Sequence, residues 1–193
     1  MRLGVFGGTF DPVHLGHLIV AEAARLEAQL DRVLFVLSPR PPHKNAEELT
    51  PISHRLAMLN LALAENPHFA VSTLELERQG VSYTVDTLRQ LKSAPKYVEA
   101  ELHLIVGMDS LAAFAQWREP EAIIQLARLL VYPRSEAGPC IPPELAKTCQ
   151  ILDAPIIEIS STLIRSRLQE GRTVRYLVPA SVQKYLEAHH LYC

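Results

Sequence analysis

Two histidines, His14 and His17, stand three residues apart in the stretch GGTFDPVHLGHL at positions 7–18. Two imidazoles at this spacing could bind a metal, bind phosphate or cap a helix. Their surroundings narrow the choice. Gly7 and Gly8 carry no Cβ, so backbone there can come close to a ligand. A helix predicted to begin near His14–Gly16 turns its first amides and the positive end of its dipole toward the same place, which favours an anion. His14 and His17 then project from one side of the first helical turn. With Thr9 they form a cradle suited to a polyphosphate. The spacing is neither G-x-G-x-x-G nor a loop ending in G-K-[ST]. No H-E-x-x-H and no obvious third ligand accompany the pair, so no protein metal site is predicted.

The elements that must hold this turn are readable as alternating apolar runs and helical periods. Strands are predicted over 2–6, 32–38, 69–77, 101–107, 128–133 and 156–160. Helices are predicted over 17–30, 53–65, 84–93, 110–117, 119–127, 161–171 and 179–190. In the first, Leu18, Ala21, Ala24 and Leu26 should share a face; Ser53 should cap the second and Thr84 start the third. Pro120 and Pro179 suit first turns, and Gly171 suits a helix end. Strand–helix–strand repetition with runs apolar throughout implies a doubly wound, mostly parallel α/β sheet with helices on both faces. Residues 1–193 form a single domain in this reading, with a short helical part from about 160 to 193. The least regular pieces are 38–52 and 134–155. The first is long enough to be a functional loop.

Bulk composition removes several function classes. The chain carries 19 Lys and Arg against 21 Asp and Glu, for a formal charge of −2, so no footprint for duplex nucleic acid is expected. Cys140, Cys149 and Cys193 form no C-x-x-C pair and read as reduced thiols. The opening RLGVF run is strand-like rather than a leader, and no stretch approaches the roughly 20 apolar residues of a membrane span. A cytoplasmic protein is expected.

The stretch GGTFDPVHLGHL resembles the first signature of the nucleotidyltransferase superfamily that shares an H-x-G-H element with class I aminoacyl-tRNA synthetases, and ISSTLIRSRL (159–168) resembles its second. PPHK (41–44), VSYTVDTL (81–88), GMDSLAAFAQW (107–117) and the VP at 178–179 narrow the resemblance to the bacterial nicotinate-nucleotide adenylyltransferase family, over almost the whole chain. It implies a Rossmann-like nucleotidyltransferase fold. It also implies joining of ATP to nicotinate mononucleotide, giving the deamido dinucleotide and pyrophosphate in NAD biosynthesis. The attacking phosphate is already anionic, so the chemistry needs positioning and charge neutralisation rather than a base.

Carried onto this chain, the resemblance puts His14 and His17 on the ATP phosphates, with His17 at the α-phosphate. Gly8, Thr9 and the Phe10 amide contact phosphate groups, and Lys44 neutralises those in transfer. Ser160, Ser161 and Thr162 hold the β- and γ-phosphates, with Arg165 one turn further. Gly107 and Asp109 end a strand, where Asp109 accepts from a ribose hydroxyl. Trp117 stacks on the pyridine ring, and amides around Tyr83, Thr84 and Trp117 meet the nicotinate carboxylate. Arg118, where the family usually has other residues, and Arg55 are further candidates for the mononucleotide. Mg²⁺ is implied, held mainly through the ATP phosphates.

Three other readings compete. The acceptor could be nicotinamide mononucleotide or phosphopantetheine. The phosphopantetheine enzymes usually carry T-x-G-H and are shorter, and His14 argues against them. A nucleotide-binding regulatory module need not keep both His17 and Lys44. A synthetase fragment should show K-M-S-K-S, which is absent. A homo-oligomer is compatible with the sequence.

Overall fold

The computed structural model describes residues 1–41, 49–78, 80–133, 141 and 145–193. Six strands form one sheet: β1 (Arg2–Gly8), β2 (Arg32–Leu37), β3 (Phe69–Ser72), β4 (Glu101–Gly107), β5 (Ala127–Tyr132) and β6 (Cys149–Ile151). Their order across the sheet is β3-β2-β1-β4-β5-β6, and every adjacent pair is parallel. The chain therefore reverses its direction of winding between β1 and β4, which opens a crevice at the carboxyl ends of those strands.

The helices are α1 (Leu15–Glu27), α2 (Ile52–Leu63), α3 (Thr84–Ser93), α4 (Met108–Ala112), α5 (Pro120–Leu126), α6 (Ser161–Gln169) and α7 (Ala180–Ala188). Alternate residues of β2 feed two cores: Val33, Phe35 and Leu37 pack toward α1 and α2, Leu34 and Val36 toward α3. Burial on both faces explains why the strands read as continuous apolar runs. Ile164 of α6 and Val182 and Leu186 of α7 join the first of these cores.

Local rules place most boundaries. Pro120 occupies the first turn of α5. Gly171, with φ +66, ends α6 in a paired turn: its amide reaches Leu168 O and the Arg172 amide reaches Arg167 O. Four expectations fail. Ser53 does not cap α2; the helix begins at Ile52 behind Pro51. Of 69–77 only 69–72 pairs, because the chain turns at once after Ser72. Residues 156–160 are not a strand; the edge strand is Cys149–Ile151. The helix predicted over 110–117 divides into α4 and a tight turn at Phe114–Gln116. On α1, Leu26 is exposed, and Gly16 and Val20 join Ala21 and Ala24 on the buried face.

Candidate active site

The crevice between β1 and β4 is a cavity of about 280 Å³. The ends of β1 and β4 and the residues that follow β1, β2 and β4 line it with Gly7, Gly8, Thr9, Ser38, Gly107 and Ser110. Ser82, Tyr83 and Thr84 at the head of α3, and Gln116, Trp117 and Arg118 before α5, close the other wall. A Cβ on Gly107 would lie 3.1 Å from the Tyr132 ring, a tight contact that the ring would have to relieve.

His14 and His17 sit at the N-terminus of α1 as a stacked pair, ring centroids 3.6 Å apart and 23° from coplanar. Each ring accepts from the other residue's amide: the His17 amide donates to His14 Nδ1 at 3.3 Å, and the His14 amide to His17 Nδ1 at 3.2 Å. This reciprocal cap is a histidine version of a capping box. A neutral imidazole that accepts at Nδ1 carries its hydrogen on Nε2, the edge turned away from the cap. The cap uses the Nδ1 edge of each ring, so capping the helix does not compete with a ligand role at Nε2. A Cβ on Gly16 would stand 3.0 Å from His14 Nδ1, so the intervening glycine belongs to the pair's geometry. The terminus offers fewer amides than expected. The Leu15 amide donates to Leu177 O at 2.9 Å, and that of His17 is used in the cap.

The two signature stretches touch. Ser161 Oγ donates to Pro12 O at 2.9 Å, and Arg165 Nη1 to Asp11 O at 2.8 Å. Ser160 caps α6 by accepting from the Leu163 amide. Thr162 is exposed at the first turn beside them. Arg165 and Ser161 therefore hold the first turn's carbonyls as well as standing next to it.

Arg55 corrects an expectation. It is 2% exposed and does not line the cavity. Its guanidinium donates to Thr50 O at 2.8 Å, Ser38 O at 2.9 Å and Thr9 O at 3.0 Å. Burial draws its pKa down and nearby Asp11 draws it up. A cation committed to three carbonyls is a strut between the turns after β1 and β2, not a ligand for a mononucleotide phosphate. Lys44 lies outside the described residues. Asp109 falls on the first turn of α4 rather than at the end of β4, and is exposed.

At the acceptor wall, Trp117 is half-buried and tilted against Phe114, ring centroids 5.4 Å apart. Its amide donates to Phe114 O at 3.0 Å, so that amide is spent inside the turn and cannot also serve a carboxylate. Thr84 begins α3 without a side-chain cap on Tyr83, leaving the first amides of α3 with no intrahelical carbonyl. The Arg118 guanidinium lies over the Tyr83 ring at 4.7 Å and 3.8 Å from Asp86.

A cytidylyltransferase-like family profile matches residues 5–167. A Thermomicrobium roseum protein named "Probable nicotinate-nucleotide adenylyltransferase" is 47% identical over 99% of this chain and 91% of its own length. A Thermus thermophilus protein of the same name is 46% identical, covering all of both chains. The chain belongs to the nicotinate-nucleotide adenylyltransferase family. The fold agrees with Plasmodium falciparum nicotinic acid mononucleotide adenylyltransferase in complexes with APC and with NaAD, at TM-scores of 0.79 and 0.78. These share 17% and 18% identity and each cover 99% of this chain, and 96% and 97% of the solved chains.

For a nicotinate-nucleotide adenylyltransferase, several lining residues carried no sequence signal. Glu75 is buried in the cavity wall, with Oε1 accepting from Thr87 Oγ1 at 2.6 Å. Tyr132 lines both the main cavity and a narrow cleft shared by His14, His17, Ile157 and Ile159. Asp11 was in plain view inside TFDP, yet nothing in the sequence connects it to Tyr192. Among the described residues, no group of three or more His, Cys, Asp or Glu could hold a metal ion. Nor is any helix long and apolar enough to cross a membrane.

Proposed function

We propose that this protein transfers the adenylyl group of ATP to nicotinate mononucleotide, forming nicotinate adenine dinucleotide and pyrophosphate in NAD biosynthesis. The observation that carries the reading is two chemically different neighbours that share Phe6 and Tyr132: a small cleft lined by the stacked histidine pair at a helix N-terminus, and a larger cavity with an aromatic wall and a cation.

The mononucleotide phosphate attacks the α-phosphorus of ATP; that P–O bond forms as the bond to the leaving pyrophosphate breaks. No proton need be removed from the nucleophile. The residues' task is to align the two phosphates and hold charge as it shifts to the leaving oxygen. His17 and His14 donate from Nε2 toward the α-phosphate and its neighbours. Gly8, Thr9 and the Phe10 amide flank them, and Ser160, Ser161 and Thr162 receive the outer phosphates. Arg165 and Lys44 supply positive charge, and Gly107 and Asp109 meet the nucleotide's ribose. The cleft walled by Ile157 and Ile159 offers the adenine an apolar face. Mg²⁺ fits as an ion carried by the triphosphate and water, where it supplies further charge neutralisation.

Trp117 and Tyr83 sandwich or edge the pyridine ring, and the first amides of α3 at Thr84 donate to its carboxylate. Arg118 adds positive charge on that side. A nicotinamide group would present an NH₂ to the same donors, which favours the acid. The setting proposed is the cytoplasm.

The test is incubation with Mg²⁺-ATP and, in turn, nicotinate mononucleotide, nicotinamide mononucleotide and phosphopantetheine, with pyrophosphate as readout. Fastest release with the nicotinate form is expected. No release with any acceptor, or a preference for either other acceptor, rejects the reading.

A further inference from the structure

We propose that Tyr192, about 180 residues from the phosphate turn in sequence, is a positioning residue for adenylyl transfer: its hydroxyl holds the Asp11 side chain and so fixes the turn that presents Thr9 and Phe10. This rests on the reading that the turn receives ATP.

The turn is strained and held from several directions. Phe10 has φ +45, a left-handed conformation that non-glycine residues seldom adopt. Such a conformation persists only where its surroundings over-determine it. Here Arg55 takes Thr9 O, Arg165 takes Asp11 O and Ser161 takes Pro12 O. The Asp11 side chain is 1% exposed, and its two oxygens are claimed separately. The Thr50 amide donates to Oδ2 at 3.3 Å, and Tyr192 Oη donates to Oδ1 at 2.5 Å.

The segment that delivers Tyr192 is itself coiled for the purpose. After α7, His190 has φ +49 and Tyr192 φ +65, two left-handed residues within three. Leu191 and Tyr192 also pack on the core that contains Phe10. Two strained segments thus meet at one short, part-buried hydrogen bond whose acceptor, Asp11, is shielded from solvent. Burial and donation to Asp11 both push the Tyr192 hydroxyl pKa up, so it remains a donor through the working pH range. A tyrosine whose only task was to fill space would leave the Asp11 oxygen buried without a donor.

The experiment compares Tyr192→Phe, which keeps the ring and removes the hydroxyl, with Asp11→Asn, the double variant and Tyr185→Phe. Tyr185 also bonds a side chain next to this segment, His54 Nδ1 at 3.0 Å, but does not touch the turn. Steady-state rates with Mg²⁺-ATP and nicotinate mononucleotide are taken per folded molecule, well below each unfolding midpoint. For Tyr192→Phe, kcat/KM for ATP should fall roughly tenfold or more, as a small misplacement near the chemistry does. KM for the mononucleotide should change little. The double variant should be no worse than the poorer single, since both break one contact. Tyr185→Phe should retain normal rates. Equal per-molecule rates for Tyr192→Phe and the wild type overturn the proposal, whatever the change in midpoint; so do losses that multiply in the double variant. A wild-type protein that releases no pyrophosphate overturns instead the reading on which it rests.

Discussion

Next to each wall of the crevice stands a non-glycine residue in the left-handed region, and the two are held in opposite ways. Phe10, at φ +45 beside the phosphate wall, is enclosed by Arg55, Arg165, Ser161 and the Asp11–Tyr192 contact, all buried or half-buried. Glu119, at φ +52 just beyond Trp117 and Arg118, is held by Arg89 through a two-pronged ion pair of 2.6 and 3.1 Å. That pair is nearly half-exposed on both sides. A buried network sets one geometry and resists salt, whereas an exposed pair contributes little and is screened. The turn at Phe10 is therefore held more firmly than the segment at Glu119 beside Trp117, which can shift.

The contrast is broken most directly at its rigid end. His17→Ala should lower kcat by about 10²–10³, as loss of one preorganised donor does, with little change in KM for the mononucleotide. A folded variant with near-normal turnover would remove the histidines from the chemistry. On the other wall, Trp117→Ala should raise KM for nicotinate mononucleotide by about ten- to a hundredfold, the worth of one ring stack, and leave KM for ATP alone. If kcat rather than KM fell, the tryptophan would be an alignment element and the two walls would not differ as argued.

A smaller effect is expected at Arg118, whose side chain is about half-exposed. Arg118→Ala should narrow the preference for the nicotinate over the nicotinamide mononucleotide by roughly two- to fivefold, the scale of an exposed charge pair. Measuring kcat/KM for both acceptors decides it, and an unchanged ratio would return Arg118 to plain surface. The smallest change should come from Arg89→Ala. It should raise KM for the mononucleotide up to about threefold at low salt and less at high salt. A salt titration that moved KM for ATP instead would place the soft wall on the wrong side.

The two walls also differed in how far the sequence revealed them. The phosphate wall was legible because its parts are local: a glycine pair, a helix start and two histidines lie within twelve residues. Their second role was not, because the mutual capping of His14 and His17 depends on ring rotamers. Arg55 looked like a ligand because an arginine near a phosphate site has the same spelling whether it faces the cavity or three carbonyls. On the other wall, Trp117 and the segment around Tyr83 were named only through the family resemblance. The loss of the Trp117 amide to Phe114 O was not legible, since it follows from a tight turn where a helix was predicted. The run IIEIS was read as a strand because β-branched residues favour extended backbone whether or not a neighbour pairs with it. In the fold it runs unpaired past α1, and its Ile157 and Ile159 form the cleft beside the histidines.

Short-range chemistry belonged to the sequence from the start. Period and apolarity determined a parallel sheet covered on both faces, and the H-x-G-H turn with its distant I-S-S-T partner carried the family resemblance. Only the tertiary structure decided which cations hold the nucleotide turn and which could face a ligand. Only it brought Tyr192 onto Asp11. Those choices turn on hydrogen bonds between residues some 40 to 180 positions apart, whose partners are set by the packing of the whole sheet rather than by any local preference of the chain.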